Sequence, residues 1–288
     1  MNKLLELLEN DRTLPIRTIK ALGSHTVKMP LNLHPDSDLI KHDKHVDKDY
    51  VVEDTLDLND DYPFILNARL DDYGYPNGKN LFKEFSAFRG IRYDLSSLDQ
   101  RRSKINLRGV LTGSYPEMDI DIVCRVKIHA INSDDYAELE LHESLAIEGY
   151  LLEQETNYKL ALFMYFSAAE SILRNIIEEL KKDASKEEAK KLEHYALAEK
   201  AKIAGKYIFE VDDLKQLPIW GSLMGLLKSS TNLRNKIAHA QKTHTITRKD
   251  ADMAAALYII TQHIFIRKAS SLSDIIKACK SKKKKGKD

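Results

Sequence analysis

The sequence predicts an α+β protein: a β-rich first half followed by an all-α helical bundle. Three observations carry this. Apolar residues recur with period two before about residue 143. They recur at spacings of three and four afterwards. The charge balance also changes sign at the same place, from 19 Lys/Arg against 26 Asp/Glu in residues 1–143 to 26 against 18 in residues 144–288.

A short helix is expected over "LLELL" at the start. "YVVEDTLDL" (50–58) and "YPFILNARL" (62–70) read as strands. The segment 33–49 is polar and reads as a loop, "DYGYPNG" (72–78) as a turn and "NLFKEFSAF" (80–88) as a helix. "SKINLRGVL" places Ile105, Leu107 and Leu111 on one strand face. "DIDIVCRVKIHAI" is the clearest strand: Ile120, Ile122, Cys124, Val126 and Ile128 alternate with polar residues. "DYAELELHE" repeats the pattern with Ala137, Leu139 and Leu141. Residues 1–143 are therefore expected to form one antiparallel β-rich domain, of no recognisable family.

The bundle is expected over 144–275. Residues 157–182 carry Leu162, Phe166, Ala169, Leu173, Ile176 and Leu180 on one helical face, with Gly149 separating a shorter helix before it. Ser185 and Glu188 form a capping box for a helix to about residue 204. Pro218 suits the first turn of a third helix, over 219–241. A fourth helix covers 248–269 and a short fifth covers "LSDIIKAC". Residues 276–288 read as a Lys-rich tail, with two readings open: a solvated run, or a sequence-blind phosphate contact through Lys282, Lys283, Lys284 and Lys285.

The longest apolar stretch, "LALFMYFSAA", falls short of the roughly 20 residues of a membrane span. "MNKLLELLEN" carries two glutamates and no small-residue cleavage site, unlike a secretion signal. Two distant cysteines, Cys124 and Cys279, read as free thiols of a reducing cytoplasm. No Gly-rich phosphate loop supports ATP or GTP hydrolysis. No cofactor and no metal are expected: "HDKH" at 42–45, near His34 and Asp47, has suitable ligand types but no regular element to fix them. His263 reads as a core histidine, His194 with Tyr195 as surface in preference to cleft lining, and the Arg125, Lys127 and His129 face as a solvated strand face in preference to a contact for nucleic acid or protein.

The chemistry concentrates in "LRNKIAHA", residues 233–240. Leu223, Leu226, Leu233, Ile237 and Ala240 form the apolar stripe of the third helix. Asn235 and His239, four apart, stack on the opposite face. Arg234 falls at the edge of the buried arc, where its guanidinium needs a partner or an exposed tip. Glu170 falls inside the apolar arc of the first bundle helix and either holds Arg234 as a supporting contact or reaches solvent at the edge. A guanidinium binds phosphate and stabilises charge on its oxygens. An imidazole near neutrality moves the proton of a ribose 2′-hydroxyl or of a leaving oxygen. With 13 Arg, 13 Asn and 10 His in 288 residues, chance places Arg-Asn-x3-His roughly 0.02 times.

"RNKIAH" resembles the Arg-polar-x(3–5)-His signature of the HEPN superfamily (higher eukaryotes and prokaryotes nucleotide-binding domain). The resemblance covers less than half of the chain. It implies a HEPN-like bundle of four or five helices and a metal-independent endoribonuclease of bacterial or phage defence, abortive-infection or toxin systems, acting on RNA as a homodimer. Arg234, Asn235 and His239 match the motif, with Lys236 beside them as an RNA contact. Residues 1–143 then sense a trigger, target the enzyme or bind a regulatory protein. A non-catalytic HEPN-like adaptor that binds nucleic acid or a partner protein is the other open reading. Independently of the family, Arg234 and His239 lie five residues apart, about 140° round the helix axis. Two facing helices bring both to one phosphate more easily than one, which points to a two-fold dimer.

Overall fold

A computed structural model describes residues 1–33, 39–40, 48–74, 88–113, 120–239 and 245–281. The protein is α+β, with small antiparallel sheets in its first half and helices in its second. It divides into a helical unit, Met1–Ile19 with Glu140–Asp288, and a β-unit, Lys20–Leu139.

In the β-unit, β1 (Gly23–Leu33), β7 (Ile120–Ile131) and β4 (Phe64–Gly74) form one antiparallel sheet in that order. A second sheet runs β2 (Leu39–Ile40), β3 (Lys48–Asp57), β6 (Lys104–Gly113), β5 (Phe88–Asp99). The expected alternation of β7 is present: Cys124, Val126, Ile128 and Ala130 are buried, while Val123, Arg125, Lys127 and His129 are half-buried. β7 is the centre of its sheet, pairing Val27↔Val126 with β1 and Leu70↔Val126 with β4. Burial pushes the Cys124 thiol up to about 11, so it stays protonated and inert.

Three expectations for this half need correction. Residues 135–143 are not a strand. Asn132 caps a short helix, α2 (Ser133–Ala137), accepting from the Asp135 N–H at 2.8 Å. Glu140 with Glu143 forms a capping box that opens the next helix at Leu141. The domain boundary is also different, because Met1–Ile19 folds with the helices and the chain returns to them at Glu140. Finally, Leu39–Ile40 and the start of β3 interrupt the expected loop at 33–49, of which 34–38 and 41–47 lie outside the described residues. The expected helix at 80–88 lies outside them except for Phe88, which opens β5.

The helical unit begins with α1 (Asn2–Asn10), whose Leu4 and Leu8 are buried. It continues with α3 (Leu141–Gln154), α4 (Tyr158–Asp183), α5 (Lys186–His194), α6 (Leu197–Phe209), α7 (Trp220–Ala238), α8 (Arg248–Phe265) and α9 (Leu272–Ser281). α4 and α8 pack on each other and on α3 to form the core. From Ala254 to Phe265 every residue of α8 is buried.

α4 is long and apolar enough to cross a membrane by length and composition, but its apolar face is buried within the unit, as in a core helix. Gly149 does not end a helix. It lies inside α3, where a Cβ would stand 2.9 Å from the Tyr165 ring. The break comes later, at Thr156, which takes a left-handed φ of 60°. Asn157 then caps α4 by accepting from the Leu160 N–H at 3.3 Å. The Ser185–Glu188 capping box is present, but the helix it opens stops at His194 and a new one runs to Phe209. α9 continues into the segment expected as tail, with Ile275 and Cys279 buried.

Candidate functional site

α7 carries the Arg-Asn-x3-His stretch. Trp220, Leu223, Leu226, Leu227 and Leu233 face the unit's interior, and Ile237 is half-buried. Among the described residues of α7 past Leu233, Ile237 alone is not exposed, so the last turn of the helix presents mostly polar groups at the surface. Arg234, Asn235, Lys236 and His239 are all exposed. Arg234 Nη1 donates to Asn235 Oδ1 at 3.4 Å. His239 is the C-cap, and its backbone N–H donates to the Asn235 carbonyl at 3.0 Å. The face bearing Asn235 and His239 points to solvent, as the helical wheel requires. Arg234 is more exposed than its place at the edge of the apolar arc suggests.

Glu170 stands exposed on α4, and no ion pair joins it to Arg234. The structure therefore favours the solvent-reaching alternative for this carboxylate over a supporting contact. Lys282, Lys283, Lys284 and Lys285 lie outside the described residues, as do His34 and the "HDKH" stretch. Among the described residues, no three His, Cys, Asp or Glu side chains gather to hold a metal. His263 is buried in α8, and His194 and Tyr195 are exposed. His129 is half-buried, and burial lowers its pKa.

A second polar constellation was not anticipated. Arg12, from the segment after α1, reaches into the helical unit and donates to Glu153 Oε1 at 2.8 Å and to both oxygens of Asp252, Oδ1 and Oδ2. Tyr165 donates its hydroxyl to Glu153 Oε2 at 3.2 Å. The side chains of Glu153 and Asp252 are only 4% and 7% exposed, and that of Arg12 16%. Burial raises the Glu153 pKa, against the opposing charge of Arg12. Burial also acts against the Arg12 charge, but the hydrogen bond to Asp252 and the two carboxylates outweigh it and hold the guanidinium above its ordinary value. One signal for this cluster was present in the sequence. Asp252 precedes Ala255, Ala256 and Ile259 at apolar-face spacing, and Glu153 follows Ala146, Gly149 and Tyr150 in the same way. A carboxylate within such a stripe needs a partner, but nothing in the sequence marks Arg12 as that partner.

A third cluster lies at the start of α3. His142 is buried, with Nδ1 3.2 Å from Glu140 Oε2 and its ring centroid 6.3 Å from that of Tyr258. Burial lowers the His142 pKa despite the neighbouring Glu140 and Glu143.

No family model, curated protein or solved structure matches this chain.

Proposed function

We propose that the protein is a metal-independent endoribonuclease of HEPN type, acting in the cytoplasm as a homodimer whose α7 ends face one another. The observation that carries this reading is the joint exposure of Arg234, Asn235 and His239 on the last turn of one helix, with Arg234 hydrogen-bonded to the motif's own Asn235. A structural arginine in a bundle is normally spent on a carboxylate or along an apolar surface; Arg234 is exposed and, among the described residues, makes no ion pair with a carboxylate.

In the proposed reaction His239 accepts the proton of a ribose 2′-hydroxyl. The 2′-oxygen attacks the adjacent phosphorus, a P–O2′ bond forms and the P–O5′ bond breaks. The leaving 5′-oxygen takes up a proton, from the same imidazole or from that of the partner. Arg234 binds the non-bridging oxygens as negative charge develops. Asn235 orients the guanidinium through the bond it already accepts. The products are a 2′,3′-cyclic phosphate and a 5′-hydroxyl. Lys236 and the Lys282–Lys285 run add sequence-independent backbone contacts. The β-unit receives the trigger or a regulatory protein, in keeping with a defence or toxin system.

The test is incubation of the full chain with total RNA in excess EDTA, beside Arg234→Ala and His239→Ala. The reading expects cleavage by the wild type alone, with cyclic-phosphate ends. Intact RNA in all three reactions would overturn it and favour a non-catalytic dimeric adaptor.

A further inference from the structure

α5 adds nothing to the buried core of the helical unit: none of its nine residues, Lys186–His194, is buried. Local interactions hold it instead. Ser185 and Glu188 close the capping box at its start, and Glu187 pairs with Lys191 one turn on, at 3.0 Å. A helix kept by caps and side-chain pairs, with no residue in the core, leaves its faces open to a ligand.

One of these faces lines a cavity. Glu187, Lys190, Lys191 and His194, spaced three and four apart, lie along one side of the helix. With Tyr195 they line an open hollow of about 370 Å³ whose walls are mostly apolar. Tyr195 is the first residue past the helix, with an extended backbone at φ −63° and ψ 142°. Ala196 follows at φ −59° and ψ 153°, so neither residue continues the helix and the ring stands at a break before α6. That ring is 41% exposed. Among the described residues, no hydrogen bond or ring contact holds it, and Lys190 and His194 have no carboxylate partner. The Glu187 charge is met by Lys191, which leaves Lys190 as the uncompensated lysine of the hollow.

An exposed aromatic ring beside unpaired cationic groups is the chemistry that holds a single nucleic-acid strand. Any base stacks on an aromatic face, and lysine meets a phosphate as a point charge. A duplex keeps its bases stacked on one another and has none to offer the ring. We propose that this face of α5, with Tyr195, is a docking site for single-stranded RNA, carried on a different helix from Arg234 and His239. The Tyr195 ring stacks on one base, and Lys190 Nζ and a ring N–H of His194 meet the flanking phosphates. The choice of polymer rests on the RNA-cleaving reading above. No bond is made or broken at this site, and it does not select sequence.

The experiment measures binding by fluorescence anisotropy, using the full chain and a labelled 2′-O-methyl RNA strand of about 10 nucleotides. This probe carries bases and phosphates but no attacking hydroxyl, so it stays intact. Tyr195→Ala is predicted to weaken binding about tenfold, and Tyr195→Phe, which keeps the ring, less than about twofold. Lys190→Gln is predicted to flatten the dependence of log Kd on log salt by roughly 0.7, the release expected for one single-strand phosphate. If Tyr195→Ala disturbs the fold, the Lys190→Gln salt slope and an abasic strand carry the test. The abasic strand is predicted to bind the wild type about tenfold more weakly than the complete strand. No binding by the wild type, equal Kd for wild type and a folded Tyr195→Ala, an abasic strand held as tightly as the complete one, or a duplex held as tightly as the single strand overturns the proposal. Intact RNA in the EDTA reaction bears on the nuclease reading alone, because the probe used for binding cannot be cut.

Discussion

Arg12 and Asp252 are separated by 240 residues in sequence, yet the guanidinium of one binds both oxygens of the other's carboxylate. With Glu153 as the third member, this pair fastens the N-terminal segment to two helices of the core. Removing the cation leaves two buried carboxylates uncompensated. Arg12→Met is predicted to cost about 3–5 kcal/mol in urea unfolding. Adding Glu153→Gln and Asp252→Asn to it should recover part of that loss, because neutral amides no longer require a counter-charge. A triple variant as unstable as the single one would show that Arg12 acts through packing alone.

Two glycines should respond oppositely to alanine. At Gly149 a Cβ meets the Tyr165 ring at 2.9 Å, and that ring is buried and tied to Glu153. Overpacking there costs about 1–3 kcal/mol, more than replacing a helical glycine returns. Gly225, exposed on α7, has nothing within 4 Å of the added carbon. Gly225→Ala is predicted to stabilise by about 1 kcal/mol. Urea midpoints of both variants check the contrast.

His142 sets a pH dependence. Its folded pKa is lowered by burial from an ordinary value of 6.5, so the unfolded chain binds more protons just below that pH. Its contribution to stability is complete above 6.5 and is lost as pH falls toward and through the folded pKa. His142→Gln is therefore predicted to flatten the fall in melting temperature between pH 7.5 and about 5.5. Parallel melting curves for variant and wild type across that range would count against the assignment.

Glu170 provides a negative control for the site. It is exposed and makes no ion pair with Arg234, so Glu170→Gln should leave any RNA cleavage within about twofold of wild type. A loss as deep as that of Arg234→Ala, measured on the same RNA, would return this carboxylate to the site.

Legibility in the sequence followed how local each determinant is. β7 was readable because every second residue from Cys124 to Ala130 is buried. β1 was not, because Pro30 argues against a strand; the structure accepts it since β1 is the edge of its sheet among the described residues, paired there with β7. β5 carries two irregularities in its pairing, at Phe88/Gly90 and Leu95/Ser97, which disrupt the alternation a strand shows. At 135–143 the spacing of Ala137, Leu139 and Leu141 mimics a strand, while the Asn132 cap and the Glu140–Glu143 box decide for helices. The polar face of α7 was readable from its own wheel. The Arg12 cluster was not, because its members come from three distant parts of the chain, and no local pattern links residue 12 to residues 153 and 252.

If two chains lend complementary groups to one phosphodiester, mixing inactive variants shows it most directly. Arg234→Ala and His239→Ala proteins are each purified, mixed at equal concentration, allowed to exchange subunits and assayed on RNA in EDTA. If Arg234 of one chain serves the His239 of the other, half of the dimers are hybrids with one complete site in two, and roughly a quarter of wild-type cleavage returns. A mixture as inactive as its components, beside a cleaving wild type and with subunit exchange verified, would contradict the shared site.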